Sequence, residues 1–155
     1  NSTWREKFTQ EYDAQGIRYY NPQVGVGEWT PENALEEKRH LAEDSIILFP
    51  VTGETYGTGS LAETGFSILS ALDLNHRRDV IVMIEEALDP SLSDKVAREE
   101  SRRARELVKA HLAQRAYAGL FVVDSLDDML ELSLNRHTVA MLNREAERFR
   151  TKNSW

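Results

Sequence analysis

The sequence predicts an α/β fold, specifically a three-layer α/β/α sandwich built on a mainly parallel, flavodoxin- or Rossmann-like sheet. Residues 45–49, 79–84 and 120–123 are short runs in which every residue after Ser45 and Asp79 is apolar, as expected for strands that are buried on both faces. Segments with helical features separate these runs, and strands joined by helical crossovers pair in parallel. No repeat, linker or low-complexity tract interrupts the alternation, so we assign residues 1–155 to a single domain.

The first part of the chain predicts a helix followed by a short strand. Thr3 can cap a helix over residues 4–14, and Gly16 provides its stop. Residues 17–20 then predict a strand, which ends at the Asn-Pro turn signal of residues 21–23.

A second helix and a third helix are predicted on either side of the first buried strand. Thr30 and Pro31 are typical of an N-cap and a first helical residue, and the helix that they open should reach Ala42. A glycine-rich loop follows the strand over residues 45–49. We then expect a helix over residues 61–74, which leads to the second buried strand.

The second half of the chain predicts two long helices. Ser93 opens a charged helix that should reach Ala118, and Gly119 ends it. A Ser-x-x-Asp capping box at Ser125 predicts a last helix, which continues in two pieces to about residue 150.

The arginines of the charged helix alternate with glutamates. This pattern is typical of a solvated face with local ion pairs, with phosphate binding as the alternative. The arginines are Arg98, Arg102, Arg103 and Arg105.

The composition excludes several classes of protein. A net charge of -7 argues against binding to nucleic acid, which requires a basic surface. The chain has no cysteine, which excludes disulfides and thiolate chemistry and fits the reducing cytoplasm. No apolar run approaches the roughly 20 residues that span a membrane, so we expect no membrane contact. The four histidines show no metal-ligand spacing, and we therefore expect no metal.

The predicted topology selects four loops as a candidate site, because ligands of parallel sheets bind beyond the carboxyl ends of the strands. These loops are residues 21–29, 50–60, 85–92 and 124–125. The second loop contains three glycines, whose backbone N–H groups can approach a ligand closely. The helix after it offers its positive N-terminus to an anion.

Ser60 and Glu63 allow two interpretations. They form a capping box, and this pattern alone favours a helix cap over a catalytic carboxylate. Residues 57–62 also match the dinucleotide fingerprint, and Glu85 could hold a ribose, but the preceding loop is longer than the tight turn that the fingerprint requires. No lysine follows the glycines, which excludes a Walker A loop.

Four further side chains are candidates for the same site. Asp44 precedes a buried strand and could be either a turn residue or a functional acid. Gln23 carries a donor and an acceptor that could bind the edge of a nucleobase. Trp4 and Trp29 could stack on a base, although buried packing is the commoner role of tryptophan.

Together these segments resemble the nucleoside 2-deoxyribosyltransferase family, in particular its divergent 2-deoxyribosyltransferase-like branch. The matching segments cover the first half of the chain in the family's order. They are residues 1–5, residues 20–24 with Trp29, residues 42–45 and residues 59–65. The second half is similar to the family only in its alternation of strands and helices.

The resemblance implies cleavage or transfer at the N-glycosidic bond of 2′-deoxynucleosides. Glu63 matches the family's nucleophile, Asp44 the aspartate associated with the leaving base, and Gln23 the glutamine that contacts the base. A carboxylate can trap the oxocarbenium-like sugar covalently while a second acid protonates the base. The partner would be a small-molecule nucleoside or nucleotide, without a cofactor. The other candidate substrate-binding residues are Asn21, Trp4, Gly57, Gly59 and Ser60.

The sequence departs from the family pattern in three respects. The strand and glycine-rich turn that open the family's domain have no counterpart before residues 1–3, so we expect either that further residues precede them in the native chain or that the sheet lacks this strand. The loop aspartate of family members falls near Gly57, and Glu54 is the acid that could replace it. The family's sites are completed by a neighbouring subunit, which implies a homo-oligomer, but the corresponding segment is not recognisable here.

Two alternatives remain open at this point. Residues 59–63 also resemble the Gly-Thr-x-x-Glu segment of nucleotide phosphoribohydrolases, in which the loop holds a phosphate and water is the acceptor. The changed loop aspartate instead favours a catalytically inactive module that binds or senses nucleotides.

Overall fold

The computed structural model describes residues 4–23, 30–57, 61, 68, 73, 78–114 and 117–150. Leu61, Ile68 and Asp73 are helical. The helices are α1 (Trp4–Ala14), α2 (Pro31–Glu43), α3 (Lys95–Ala113) and α4 (Leu126–Arg150), and the strands are β1 (Ile46–Val51), β2 (Asp79–Ile84) and β3 (Leu120–Val123).

The three strands form a parallel sheet in the order β1-β2-β3. Ile46 is aligned with Asp79 at the start of the first pair, and Val80 is aligned with Leu120 in the second. Every residue of the central strand β2 is buried, in agreement with the apolar sequence that follows Asp79. The described residues therefore confirm a mixed α/β fold with parallel strands.

Alternate residues of β2 belong to two different core clusters. Val80, Val82 and Ile84 pack with a cluster that includes Leu112 of α3, together with Leu61. The second cluster contains the other two apolar β2 side chains and residues of α1 and α4, and its buried members are Phe8, Tyr12, Ile81, Met83, Met129 and Leu130. Because successive side chains of a strand point to opposite faces, both faces of β2 are covered by helical side chains.

The predicted strand over residues 17–20 is not present, because this segment has no regular secondary structure. Its side chains are used for packing instead of for a strand ladder. Ile17 packs against the core cluster of α1 and α4. The Tyr19 ring lies 5.8 Å from the Tyr12 ring, and the Tyr20 ring is stacked on His40 at 4.0 Å.

The N-termini of α2 and α3 are set by capping side chains. The Thr30 hydroxyl accepts a hydrogen bond from the N–H of Asn33, and the Asn33 side chain accepts one from the N–H of Thr30. Asp94, and not the predicted Ser93, caps α3 by accepting from the N–H groups of Val96 and Ala97. A carboxylate is the stronger acceptor for this position.

The ends of the two long helices also differ from the prediction. Helix α3 stops at Ala113, with Gln114 as its C-cap, and does not reach Ala118. Helix α4 is one continuous helix of 25 residues and not two pieces. Its start agrees with the prediction, since the Ser125 hydroxyl accepts from the N–H of Asp128 at 3.0 Å. No helix among the described residues is long and apolar enough to cross a membrane.

Candidate functional site

An open cleft of about 600 Å³ lies at the carboxyl edge of the sheet. The ends of all three strands contribute to it, as the parallel topology predicts. The side chains and backbone that line it belong to the loops after β1, β2 and β3 and to helix α3. They are Gly53, Glu54, Ile84 to Pro90, Lys109 and Asp124. Three of the four loops predicted from the sequence therefore meet at this cleft.

The loops after β1 and β2 are joined by hydrogen bonds at Gly53. Its N–H donates to Oε2 of Glu85, and its carbonyl oxygen accepts from the N–H of Asp89 at 2.9 Å. A Cβ atom at this position would collide with the carbonyl oxygen of Ala87, so only glycine allows the two backbones to approach this closely. Oε2 of Glu85 thus holds the loop. This oxygen is therefore not suited to the ribose contact that the sequence suggested for Glu85.

Gly57, the last residue of this loop that the structure describes, has a backbone conformation that favours glycine. Its φ angle is +65°, and a Cβ atom there would lie 3.1 Å from Nη2 of Arg105. Its carbonyl oxygen accepts a hydrogen bond from the N–H of Leu61 at 2.8 Å, and Leu61 is buried in the core. The chain that leads to Glu63 therefore starts at this edge of the sheet.

Arg105 of α3 lies beneath the cleft, and only 1% of its surface is exposed. All five of its N–H bonds have an acceptor within 3.1 Å, and four of these acceptors are backbone carbonyl oxygens. Nε donates to Oγ of Ser101, Nη1 to the oxygens of Val51 and Glu85, and Nη2 to those of Thr52 and Thr55.

The prediction that Arg105 belongs to a solvated face is therefore wrong, whereas its neighbours behave as predicted. Arg102 contacts Glu99 and Glu106, and Arg103 contacts Glu100, all on the exposed surface of α3. The sequence did contain a signal for Arg105. Positions 101, 104, 105, 108 and 112 share one face of a helix, and the other four are serine, alanine, valine and leucine.

The first turn of α1 also lies near this edge. The Lys7 ammonium contacts Asp127 at 2.5 Å, which places the first half of α1 beside the start of α4, just after β3. Trp4 packs edge-on against Phe8, and the Arg5 guanidinium lies 4.6 Å from the Trp4 ring. Partial burial lowers the pKa of Arg5, and the negative charge of Glu54 opposes this effect. The carboxylate of Glu54 in the cleft is thus electrostatically coupled to Arg5.

A second open cavity of about 440 Å³ adjoins the cleft and shares the backbone around Ala87 with it. Three cations of α3 line this cavity, namely Lys95, Arg98 and Arg102, together with Glu86 and Glu99. The Arg98 guanidinium also donates to the carbonyl oxygens of the neighbouring loop at 2.9 Å.

Asp44 lies at the opposite edge of the sheet, which corrects the prediction that it shares an edge with the glycine loop. It is the C-cap of α2 and precedes β1, whereas the loop follows β1. Six strand residues separate the two, a distance of about 20 Å. The carboxylate of Asp44 lies 3.0 Å from Nδ1 of His40.

Asn21 and Gln23 are exposed, and neither lines the cleft. They follow Tyr20, whose ring is stacked on His40. The structure therefore brings the Tyr20 segment close to Asp44 through His40, but it does not bring this group together with the cleft.

The remaining predicted residues, Gly59, Ser60 and Glu63, lie outside the described residues, as does Trp29. Their roles stay predictions. Within the part of the chain that the structure describes, no group of three or more potential metal ligands is present.

Comparison with known proteins gives no further assignment. No protein-family model matches the chain, and neither the curated proteins nor the solved structures contain a significant match.

Proposed function

We propose that this protein is an enzyme that cleaves or transfers at the N-glycosidic bond of 2′-deoxynucleosides, with Glu63 as the nucleophile and without a cofactor. One observation carries the proposal. Gly53 and Glu54, in the loop that precedes Glu63 in the sequence, line an open cleft at the carboxyl edge of a parallel sheet, where ligands of such sheets bind.

The dimensions of the cleft support this function. Its volume of about 600 Å³ lies within the range of roughly 300–1,000 Å³ that is typical of small-molecule sites. Leu61 is held by its hydrogen bond to Gly57, and Glu63 is only two residues further along the chain. The resemblance to the deoxyribosyltransferase family supplies the assignment of Glu63 as nucleophile.

The proposed reaction has two steps. In the first, the bond between C1′ and the base nitrogen breaks, a bond forms between C1′ and a Glu63 oxygen, and the base takes a proton from an acid. In the second, an acceptor base or water attacks C1′, its proton passes to the conjugate base of that acid, and the bond between C1′ and the Glu63 oxygen breaks. The resemblance assigns the acid to Asp44, but its place at the far edge does not support that role. The carboxylates that do line the cleft are Glu54, Glu85, Glu86, Asp89 and Asp124.

Base exchange tests the proposal. Purified protein is incubated with a deoxynucleoside and a free acceptor base, and products are separated by chromatography. We expect exchange or release of the base, and a fall of at least about 10³-fold in Glu63→Gln. Glu100→Gln on the exposed face of α3 is the matched control and should keep full activity. Base release that persists in Glu63→Gln would exclude the mechanism.

A second candidate is a hydrolase that acts on nucleoside 5′-monophosphates. The adjoining cavity favours it, because Lys95, Arg98 and Arg102 line that cavity and cations bind phosphate groups. Comparing kcat/KM for a deoxynucleoside with that for its 5′-monophosphate separates the two. A preference for the monophosphate that disappears in Lys95→Met would support the hydrolase.

A third candidate is a module that binds nucleotides without catalysis. The position near Gly57 carries no acid, and the charge of Glu54, the possible replacement, is coupled to Arg5. Calorimetry would support this candidate if it shows tight binding of a nucleotide while no base is released over hours.

The proposal also includes the finer architecture and the setting of the protein. We infer a three-layer sandwich from the two core clusters, with α1 and α4 on one face of the sheet and α3 with the Leu61 segment on the other. We also propose a cytoplasmic homo-oligomer, as the resemblance and the lack of cysteine imply. Light scattering coupled to size exclusion measures the oligomeric state.

A further inference from the structure

We infer that Arg105 is the positioning residue of the cleft. It holds the loop after β1 and the end of β2 in one arrangement. It thereby fixes the backbone from which the segment that contains Glu63 begins. The inference about the loops stands by itself, whereas its consequence for catalysis rests on the proposed function.

The hydrogen-bond geometry of Arg105 cannot be reproduced by another side chain. The guanidinium group is planar and offers five N–H bonds in a fixed fork, and here every one of them has an acceptor. Nη1 joins the end of β1 to the residue that follows β2, since it donates to the carbonyl oxygen of Val51 at 3.1 Å and to that of Glu85 at 2.7 Å. Lysine has three N–H bonds that diverge from one nitrogen, so it could not bind both strand ends and the loop together.

Ser101 extends the same network to the far side of the loop. Its hydroxyl accepts from Nε of Arg105 at 3.1 Å and donates to the carbonyl oxygen of Tyr56 at 2.7 Å. The Tyr56 hydroxyl in turn accepts from the N–H of Asp94, the N-cap of α3. Helix α3 therefore holds the loop at both its beginning and its end.

The network extends to Leu61, which lies two residues before the proposed nucleophile Glu63. Nη2 donates to the carbonyl oxygen of Thr55, and the Thr55 hydroxyl accepts from the N–H of Gly57. The carbonyl oxygen of Gly57 then accepts from the N–H of Leu61. A displacement of the guanidinium group would thus be transmitted through Gly57 to the start of the segment that contains Glu63.

The position of Arg105 in the sequence indicates a role beyond stability. It lies among Ala104, Val108 and Leu112, on the face of α3 that packs on the core, where an apolar side chain would avoid the cost of burying a cation. Burial lowers the pKa of Arg105, and the charge of Glu85 opposes this effect. A polar residue in an otherwise apolar pattern is expected at functional sites, where it positions the groups around it.

The test compares Arg105→Lys with Arg103→Met, a control two residues away whose side chain is exposed and contacts the surface acid Glu100. Ser101→Ala is a milder second variant, because it keeps the guanidinium group but removes the link to Tyr56. Hydrogen exchange is measured for the amides of Gly53, Gly57 and Leu61, with the amides of β2 as the reference for global stability. In parallel, kcat and KM for base release are measured with a deoxynucleoside.

We expect Arg105→Lys to accelerate exchange of the three loop amides at least about tenfold relative to β2, and Ser101→Ala to do so to a smaller extent. We also expect kcat to fall at least about tenfold with KM changed less than about threefold, because Arg105 lies beneath the cleft and acts through the loop. The Arg103→Met control should match the wild type in both measurements.

Three results would overturn the inference or separate it from the proposed function. Unchanged loop exchange in both variants would show that Arg105 does not hold the loops. Faster exchange without a fall in kcat would reduce Arg105 to a purely structural residue. If the wild type releases no base, the proposed function fails, and loop exchange in the variants then decides the positioning role alone.

Discussion

Asp44 and Gly57 lie at opposite ends of β1, and the six residues of that strand keep them about 20 Å apart. The two residues belong to segments that the family resemblance assigns to one active site. The structure instead places Asp44 beside His40 and Gly57 beyond the other end of β1.

This separation makes a direct prediction for Asp44. Asp44→Asn should change kcat for base release less than about twofold, because its carboxylate lies at the far edge from the cleft. Glu63→Gln in the same assay should abolish release. Kinetics with a deoxynucleoside measure both. A loss in Asp44→Asn comparable to that in Glu63→Gln would restore Asp44 as the acid of the reaction.

Gly57 and Gly16 form a matched pair, because both have φ near +65° but differ in their surroundings. A Cβ at residue 16 meets nothing within 4 Å, whereas one at residue 57 meets Val51 and Arg105 at 3.0 and 3.1 Å. We expect Gly16→Ala to cost about 1–2 kcal/mol in the free energy of unfolding. Gly57→Ala should cost about 1 kcal/mol more, because the neighbours must move. Urea unfolding measures the difference, and equal losses would contradict the contact with Arg105.

Arg136 binds Asp79 at the start of β2 through two hydrogen bonds, of 2.7 and 3.1 Å. The Asp79 side chain is 10% exposed and that of Arg136 is 31% exposed. Arg136→Met should lower the free energy of unfolding by about 2 kcal/mol, less than for a fully buried pair, because water reaches the arginine. Arg144→Met removes an exposed hydrogen bond to Ser45 and should cost less than about 0.5 kcal/mol. Equal effects in the two variants would argue against a stabilising pair.

Tyr12 gives the protein a predicted pH dependence at alkaline pH. Burial raises the pKa of its phenol, and the hydrogen bond with Ser133 opposes this effect. The folded state therefore holds the proton more tightly than the unfolded state, whose tyrosine pKa is about 10. This contribution to stability is complete below about pH 10 and is lost as the pH rises through the folded pKa.

Tyr12→Phe tests this assignment. The variant should lose about 1 kcal/mol at pH 8, because the hydrogen bond to Ser133 is removed. Its stability should then fall less than that of the wild type between about pH 8 and pH 11. Urea unfolding at several pH values measures both effects. Parallel pH profiles in the two proteins would show that another group is responsible.

The strands that could be predicted are those whose own sequence indicates burial on both faces. The bounds of β2 and β3 follow from runs that are apolar at every position except Asp79, the first residue of β2, as burial on both faces requires. Residues 17–20 also predict a strand, but the aromatic contacts of Tyr19 and Tyr20 replace the ladder there. A short segment is decided by tertiary packing, which its own sequence does not contain.

The location of the candidate site could be predicted from the sequence, but the hydrogen bonds that hold its loops could not. Parallel topology places the loops after β1, β2 and β3 at one edge, and they do line one cleft. Arg105 was missed because the alternating charges around it suggested a solvated face, while only its helical position indicates burial. The hydrogen bonds that it makes depend on loops that are distant in sequence, and no local pattern encodes them.

The parallel order β1-β2-β3 has a consequence for how the chain reaches this fold. Each strand pairs with one that lies about 30 to 40 residues away along the chain, so neither pairing can be initiated by a hairpin. Closing each crossover costs conformational entropy before the hydrogen bonds between the strands can stabilise the chain. Refolding should therefore be slow, in the millisecond-to-second range of proteins dominated by non-local contacts, and the alignment of β2 with both neighbours should limit its rate.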